Sequence, residues 1–242
     1  MNDALEEILA GRAPDLSALD IDTRDVEVRR MLAEREAFDR AESRRLFAAD
    51  LRDAGEFPAR YVNAATAGPS DTPAMIGARK YLASRKSVLV LAGGVGAGKT
   101  TAAAWIAIEA GSAHVTLPDA RGSLPAFIRA AELEARGRYD KHLRTWLRER
   151  SMLVLDDLGA EFLDGKNAFS SLLDEVIELY YSNHRRIVIT TNLRARRVGD
   201  SEPQFIERYG ERVASRLHEV GLWHECGARD LRRTLSLVEG GT

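Results

Sequence analysis

Gly93, four intervening residues, and then Gly98, Lys99 and Thr100 in succession give the spacing G-x-x-x-x-G-K-[ST]. Each residue type has a chemical reason to be there. Gly94, Gly96 and Gly98 let backbone N–H groups crowd around phosphate oxygens without a Cβ in the way. The helix that follows points its positive end at the same oxygens. Lys99 is expected to reach the outer phosphates, and the Thr100 hydroxyl to ligate magnesium. The phosphate-binding set is therefore Gly93, Gly94, Val95, Gly96, Ala97, Gly98, Lys99, Thr100 and Thr101, with ATP and Mg2+ as the expected ligands. Downstream, Asp156 and Asp157 close an apolar run. Beside a P-loop, Asp156 would hold the magnesium while Asp157 polarises an attacking water. Asn192, at the end of Thr190-Thr191-Asn192, could orient that water near the γ-phosphate. Arg212 and Arg216 lie four apart, so both emerge on one face of a helix.

Placing these residues together requires strands that end at one edge. Val88 to Leu91, Met152 to Leu155 and Ile187 to Ile189 are short apolar runs of the kind buried in a parallel sheet, and each leads straight into candidate site residues. A helix from Thr101 to Ala110 follows the P-loop, a strand is expected over Ala113 to Leu117, and helical pieces over Leu124 to Arg136 and Tyr139 to Arg150, broken at Gly137. Asn167 to Asn183 reads as an amphipathic core helix. Thr23 to Ala54, dense in Glu, Arg and Ala without Gly or Pro, reads as one or two long helices. These helices suit a partner-binding arm or a helix packed on its own domain equally well.

At 242 residues and 45% hydrophobic content, the chain can bury a large α/β domain with an appendage. A formal charge of -2 gives no bulk attraction to nucleic acid. Any such contact must come from a local patch, of which Arg121, Arg129, Arg136, Arg138, Arg144, Arg148 and Arg150, with Lys141 and interleaved with Phe127, Tyr139 and Trp146, are one candidate. The alternative is a solvated face neutralised by Glu132, Glu134, Asp140 and Glu149. The single cysteine, Cys226, has no partner for a bridge and is expected to be a buried small side chain. The acidic start and the lack of a long apolar run point to a cytoplasmic location with no membrane contact.

Gly93 to Thr100, Asp156-Asp157-Leu158-Gly159-Ala160-Glu161, Thr190-Thr191-Asn192 and Glu211-Arg212-Val213-Ala214-Ser215-Arg216-Leu217 together resemble the AAA+ ATPases of the DnaC/DnaI helicase-loader and IstB transposition-helper family. The likeness runs over residues 57 to 235 and includes Phe57-Pro58-Ala59-Arg60-Tyr61. It implies a three-layer α/β P-loop AAA+ domain over residues 57–242, with a five-stranded, mostly parallel sheet, and a small N-terminal helical arm over residues 1–56 that grips a partner. It also implies that Asn192 is the sensor-1 residue, Arg216 the arginine finger acting on a neighbouring subunit, and Arg232 the sensor-2 residue. The implied partners are a replicative helicase or a transposase, single-stranded DNA, and further copies of the chain. Two departures from the family pattern stand out: aspartate at 157, where glutamate is common, and an N-terminal region without a cysteine cluster. From a different class, a P-loop small-molecule kinase would need an acceptor pocket and mobile lid arginines, and a third possibility is a nucleotide-dependent scaffold that barely hydrolyses ATP.

Overall fold

The structure is a computed structural model, and the residues it describes are 21–68, 71–113, 124–161, 168–193, 205–228 and 230–231. Helix α1 (Ile21–Asp53) leads through α2 (Ala59–Thr66) and α3 (Pro73–Leu82) to strand β1 (Val88–Ala92) and α4 (Lys99–Ser112). Then follow β2 (Ala126–Arg129), α5 (Ala130–Tyr139), α6 (Leu143–Arg148), β3 (Met152–Leu158), α7 (Ala168–Ser182), β4 (Arg186–Thr191), α8 (Phe205–Val220) and β5 (Gly221–Glu225).

The five strands form one sheet in the order β2-β3-β4-β1-β5, and every pairing is parallel. Parallel strands need crossovers, and the crossovers lay helices on both faces, so β1 is buried at all five positions and β4 at five of its six. The α1–α4 layer packs one face through residues such as Leu51, Phe57, Tyr81, Leu91 and Ile106. The α5–α8 layer packs the other through Leu133, Leu143, Phe169, Ile177, Tyr180 and Leu217. This is the expected three-layer α/β architecture with its five-stranded parallel sheet and an N-terminal helix.

Three local expectations are corrected or fall elsewhere. Residues 126–129, read as helical, form β2: Ala126 and Ile128 are buried beside Leu153 and Leu155 of β3, and sheet pairing outweighs a weak helical pattern. Gly137 does not break a helix. It lies inside α5, where a Cβ would stand 2.4 Å from Leu172 Cδ2, so glycine is there for close approach to α7, and the chain turns at Asp140 instead. The strand expected over residues 113–117 lies, beyond Ala113, outside the described residues.

Helix α1 is continuous, and its last turns are seated in the core, with Phe47, Ala48 and Leu51 buried and Arg44 paired with Glu109 of α4 at 2.6 Å. Earlier in the helix Val26, Leu32 and Phe38 are exposed. The seat on α4 depends on Gly111, where an added Cβ would lie 2.0 Å from the Phe47 ring. Gly111→Ala should therefore lower stability by about 1–3 kcal/mol through overpacking, read as a fall in Tm, and Phe47→Leu in the same chain should recover part of it. An unchanged Tm for Gly111→Ala would mean that α1 does not rest there in solution.

Candidate functional site at the carboxyl ends of β1, β3 and β4

Strands β1, β3 and β4 are neighbours and run the same way, so their carboxyl ends open on one crevice. Beyond β1 the chain makes its glycine turn: Gly96 (φ 81°) and Gly98 (φ 79°) are left-handed, and Gly98 caps α4. Lys99 is buried at the start of α4, and its ammonium donates to the carbonyl oxygens of Gly93 and Gly94, both at 2.8 Å, and to Asn192 Oδ1 at 3.0 Å. The P-loop lysine and the asparagine at the tip of β4 are thus in direct contact.

The acidic pair divides where β3 becomes irregular. Its register with β4 shifts between Leu155 and Leu158, and Asp157 takes φ 56°. The bulge turns the two carboxylates into different surroundings: Asp156 is 1% exposed, while Asp157 faces solvent. The Thr100 and Thr190 hydroxyls both donate to Asp156 Oδ1, at 2.9 and 2.6 Å, and the Asp157 N–H donates to Thr190 Oγ1 at 3.0 Å. Asp156 Oδ2 is buried with no hydrogen-bond partner. A buried carboxylate oxygen without a donor, next to a threonine hydroxyl, is the donor set a hard divalent cation uses, so these residues fit magnesium.

Burial pushes the Asp156 carboxyl above its ordinary range, with the neighbouring Asp157 charge acting in the same direction and the two threonine hydroxyls opposing. Because the charged form is the one disfavoured by the fold, its cost is absent below the ordinary carboxylate range and complete above the raised value. Asp156→Asn removes that cost. Without nucleotide, the Tm of the variant relative to wild type should therefore climb as pH rises through this window, and magnesium should no longer add to the stabilisation given by ATP. A Tm difference independent of pH would contradict the assignment.

A contact not foreseen from sequence covers the glycine turn. After β5 the chain crosses it, with the Cys226 N–H on the Ala92 carbonyl, the Gly94 N–H on the Gly227 carbonyl at 2.8 Å, and the Leu231 N–H on the Gly96 carbonyl at 3.1 Å. A Cβ on Gly93 would meet the Gly227 oxygen at 2.6 Å, and one on Gly96 would meet Asp230 Oδ1 at 1.9 Å. These glycines therefore serve chain packing as well as any phosphate. Cys226 is buried against this turn, as expected of a small side chain, and burial raises its thiol to about 12.

Arg212 and Arg216 stand on α8, in the layer on the other side of the sheet from α4. Arg212 pairs with Asp174 at 2.9 Å, and Arg216 reaches Asp174 at 3.4 Å and Glu178 at 2.6 Å. Arg216 is half-buried in these pairs, while Arg212 is largely exposed. They line a groove of 810 Å³ between α6, α7 and α8, with no wall from the P-loop. Neither arginine meets Lys99 or Asp156 within the chain. Arg232 lies outside the described residues.

Much of the basic segment is engaged internally. Arg136 pairs with Asp140 at 2.9 Å, Arg138 with Glu134, Arg144 with Glu175 at 2.6 Å and Arg150 with Glu56 at 2.9 Å. The guanidinium groups of Arg136 and Arg150 both lie over the Trp146 ring, and Phe127 packs on Phe57.

One buried charged group beside the acidic pair is not singled out by the sequence reading. Glu161, six residues after the end of the apolar run, has a fully buried carboxylate that accepts from the Gly159 N–H at 2.8 Å, Arg208 Nε at 2.9 Å and the Tyr209 hydroxyl at 2.5 Å. The available signal was the acidic residue closing the Asp-Asp-Leu-Gly-Ala-Glu run, which no local periodicity requires. Among the described residues no helix is long and apolar enough to cross a membrane.

The fold matches the crystal structure of the DnaC helicase loader with a TM-score of 0.53 at 23% identity, over 70% of this chain and 99% of that one. It also matches the replication initiator DnaA bound to AMPPCP and single-stranded DNA with a TM-score of 0.50 at 20% identity, over 72% of this chain and 51% of that one. No curated protein sequence is a significant match. The profile of the family described as "IstB-like ATP binding protein" matches residues 23–200. A P-loop at the carboxyl edge of a five-stranded parallel sheet of AAA+ type, within a profile match spanning most of the chain, leads to one conclusion: the chain belongs to the IstB-like ATP-binding protein family.

Proposed function

We propose that this protein is an ATP-dependent loader of a replicative DNA helicase that assembles with further copies of itself when nucleotide and DNA are bound. The single observation that carries the reading is the contact of Lys99 with Asn192, alongside the Thr100–Asp156 pair, at the ends of three adjacent strands. In this proposal Gly93 to Thr101 cradle the phosphates and Lys99 draws charge from the outermost one. Thr100 and Asp156 would hold magnesium, which would supply charge neutralisation at the phosphates. Asp157, exposed at the bulge, takes the proton of the attacking water, and Asn192 orients that water. Arg216 stabilises the transition-state charge in a neighbouring copy, and Arg232 is assigned to nucleotide binding as the sensor-2 residue.

Residues 1–56 form the partner-binding arm in this proposal, with the exposed apolar residues of α1, Val26, Leu32 and Phe38, as its contact surface, and residues 57–242 form the ATPase domain. Single-stranded DNA is a further partner in this proposal, although several arginines of the 129–150 segment are already paired with carboxylates. The helicase as partner is supported by the fold shared with the DnaC loader over nearly all of that chain. A second reading, an ATPase helper of a DDE transposase, is favoured by the IstB-like family profile.

The full-length chain, mixed with the purified hexameric helicase of its own organism, should transfer that helicase onto closed-circular single-stranded DNA only when ATP is present. Transfer that ignores ATP, or ATP-dependent complex formation with the transposase and none with the helicase, would reject the loader reading, and the latter result would establish the helper.

A further inference from the structure

We infer that Glu161 is a positioning residue that couples the nucleotide site to the arginine-bearing face of α8. The inference rests on the proposed roles of Asp157 and Arg216, and it names the link between them.

The connection can be followed atom by atom. Thr100 and Thr190 hold Asp156, and the Asp157 N–H rests on Thr190. From Asp157 the backbone turns, with the Ala160 N–H on the Asp157 carbonyl and Gly159 at φ 110° packed under Leu193. The turn ends at Glu161, whose carboxylate receives the Gly159 N–H, Arg208 Nε and the Tyr209 hydroxyl, while Arg208 Nη2 donates to the Glu161 carbonyl at 2.6 Å. Both side-chain partners lie in the first turns of α8, and the Tyr209 ring is fixed between Phe169 and Phe205. The next residue is Gly210, with φ 83° and ψ 163° inside the helix, where a Cβ would meet nothing within 4 Å. Glycine is needed there for conformation and not for space, so this position can act as a hinge. Beyond it the helix carries Arg212 and Arg216 to Asp174 and Glu178.

A buried carboxylate held by three donors from two elements is a rigid clasp, since breaking any one contact leaves a polar group without a partner. Any shift of the Asp157 turn on loading the site is therefore passed to the start of α8 and taken up at Gly210, which re-aims the arginine face. Coupling of this kind requires an element that both sites bias, and the clasped start of α8 is that element.

Hydrogen–deuterium exchange on the full-length chain with and without Mg-ATP tests this. In wild type, nucleotide should slow exchange several-fold at residues 93–101 and alter it at residues 205–217. Glu161→Gln should keep the first response and lose most of the second. Tyr209→Phe, which removes one hydroxyl, should weaken the second in part, and it carries the test if Glu161→Gln does not melt cooperatively. A wild-type-sized response of α8 in both variants overturns the inference, as does a wild type whose P-loop responds while α8 does not. A wild type with no response at residues 93–101 is a different failure: it rejects the ATP site itself.

Discussion

Lys99→Ala is expected to abolish ATP binding at working concentrations, because it removes the only side-chain cation placed within the phosphate loop among the described residues. In the structure the ammonium is buried and satisfied by two loop carbonyls and by Asn192. The same three acceptors hold it in one place against the loop. Truncating one partner of a buried, hydrogen-bonded charge pair costs about 2–5 kcal/mol, which is roughly one and a half to three and a half powers of ten in Kd. Titration of a fluorescent ATP analogue reads this directly. The loss should fall on binding rather than on folding, and the nucleotide-free Tm should stay within a few degrees of wild type, since the loop remains braced by the Gly94–Gly227 and Gly96–Leu231 hydrogen bonds. Normal ATP affinity in this variant would remove the foundation of the proposed site.

The second large effect separates binding from turnover. Arg216→Ala should leave the ATP Kd unchanged while hydrolysis falls by about three powers of ten, the scale on which a trans-acting arginine contributes in phosphoryl transfer. Within its own chain Arg216 is occupied by Asp174 and Glu178, so reaching a neighbour requires release from both. Arg212→Ala, which removes the more exposed arginine and its Asp174 contact, is the comparison that distinguishes the two candidates. Mixing experiments test the trans geometry. Asp157→Ala and Arg216→Ala should each be inactive alone, yet in a head-to-tail assembly about one site in four would combine an intact Asp157 with an intact neighbouring arginine, so activity should reappear on mixing. Mixtures that stay inactive would place Arg216 outside any shared site.

The sequence and the fold agree best where chemistry is local. The strand, glycine turn and helix of residues 88 to 112 can be read directly because the requirement for glycine, for a cation and for a helix start all fall within a dozen successive positions. The same holds for the apolar runs that lie within β3 and β4, although both strands run on past them, β3 through Asp156 and Asp157 to Leu158 and β4 to Thr191, just before Asn192. Local reading failed at β2, where four residues beside β3 gain their strand geometry only from the neighbour they pair with. It failed again at Gly137, whose small size is set by Leu172 across an interhelical gap.

The sequence by itself determined that a phosphate-binding loop exists, that acidic and amide side chains end the strands around it, and that an α/β sheet carries them. Only the tertiary structure decided which of these groups touch. Lys99 meets Asn192 across 93 residues of chain, Glu161 meets Arg208 across 47, and the turn at Gly93 to Gly96 is bonded by Gly227 and Leu231. The physical reason is that residue spacing encodes geometry only along a single element, where a period of 3.6 or 2 fixes the face a side chain takes. Contacts between elements are fixed by strand order and layer packing, and no stretch of sequence carries that order alone.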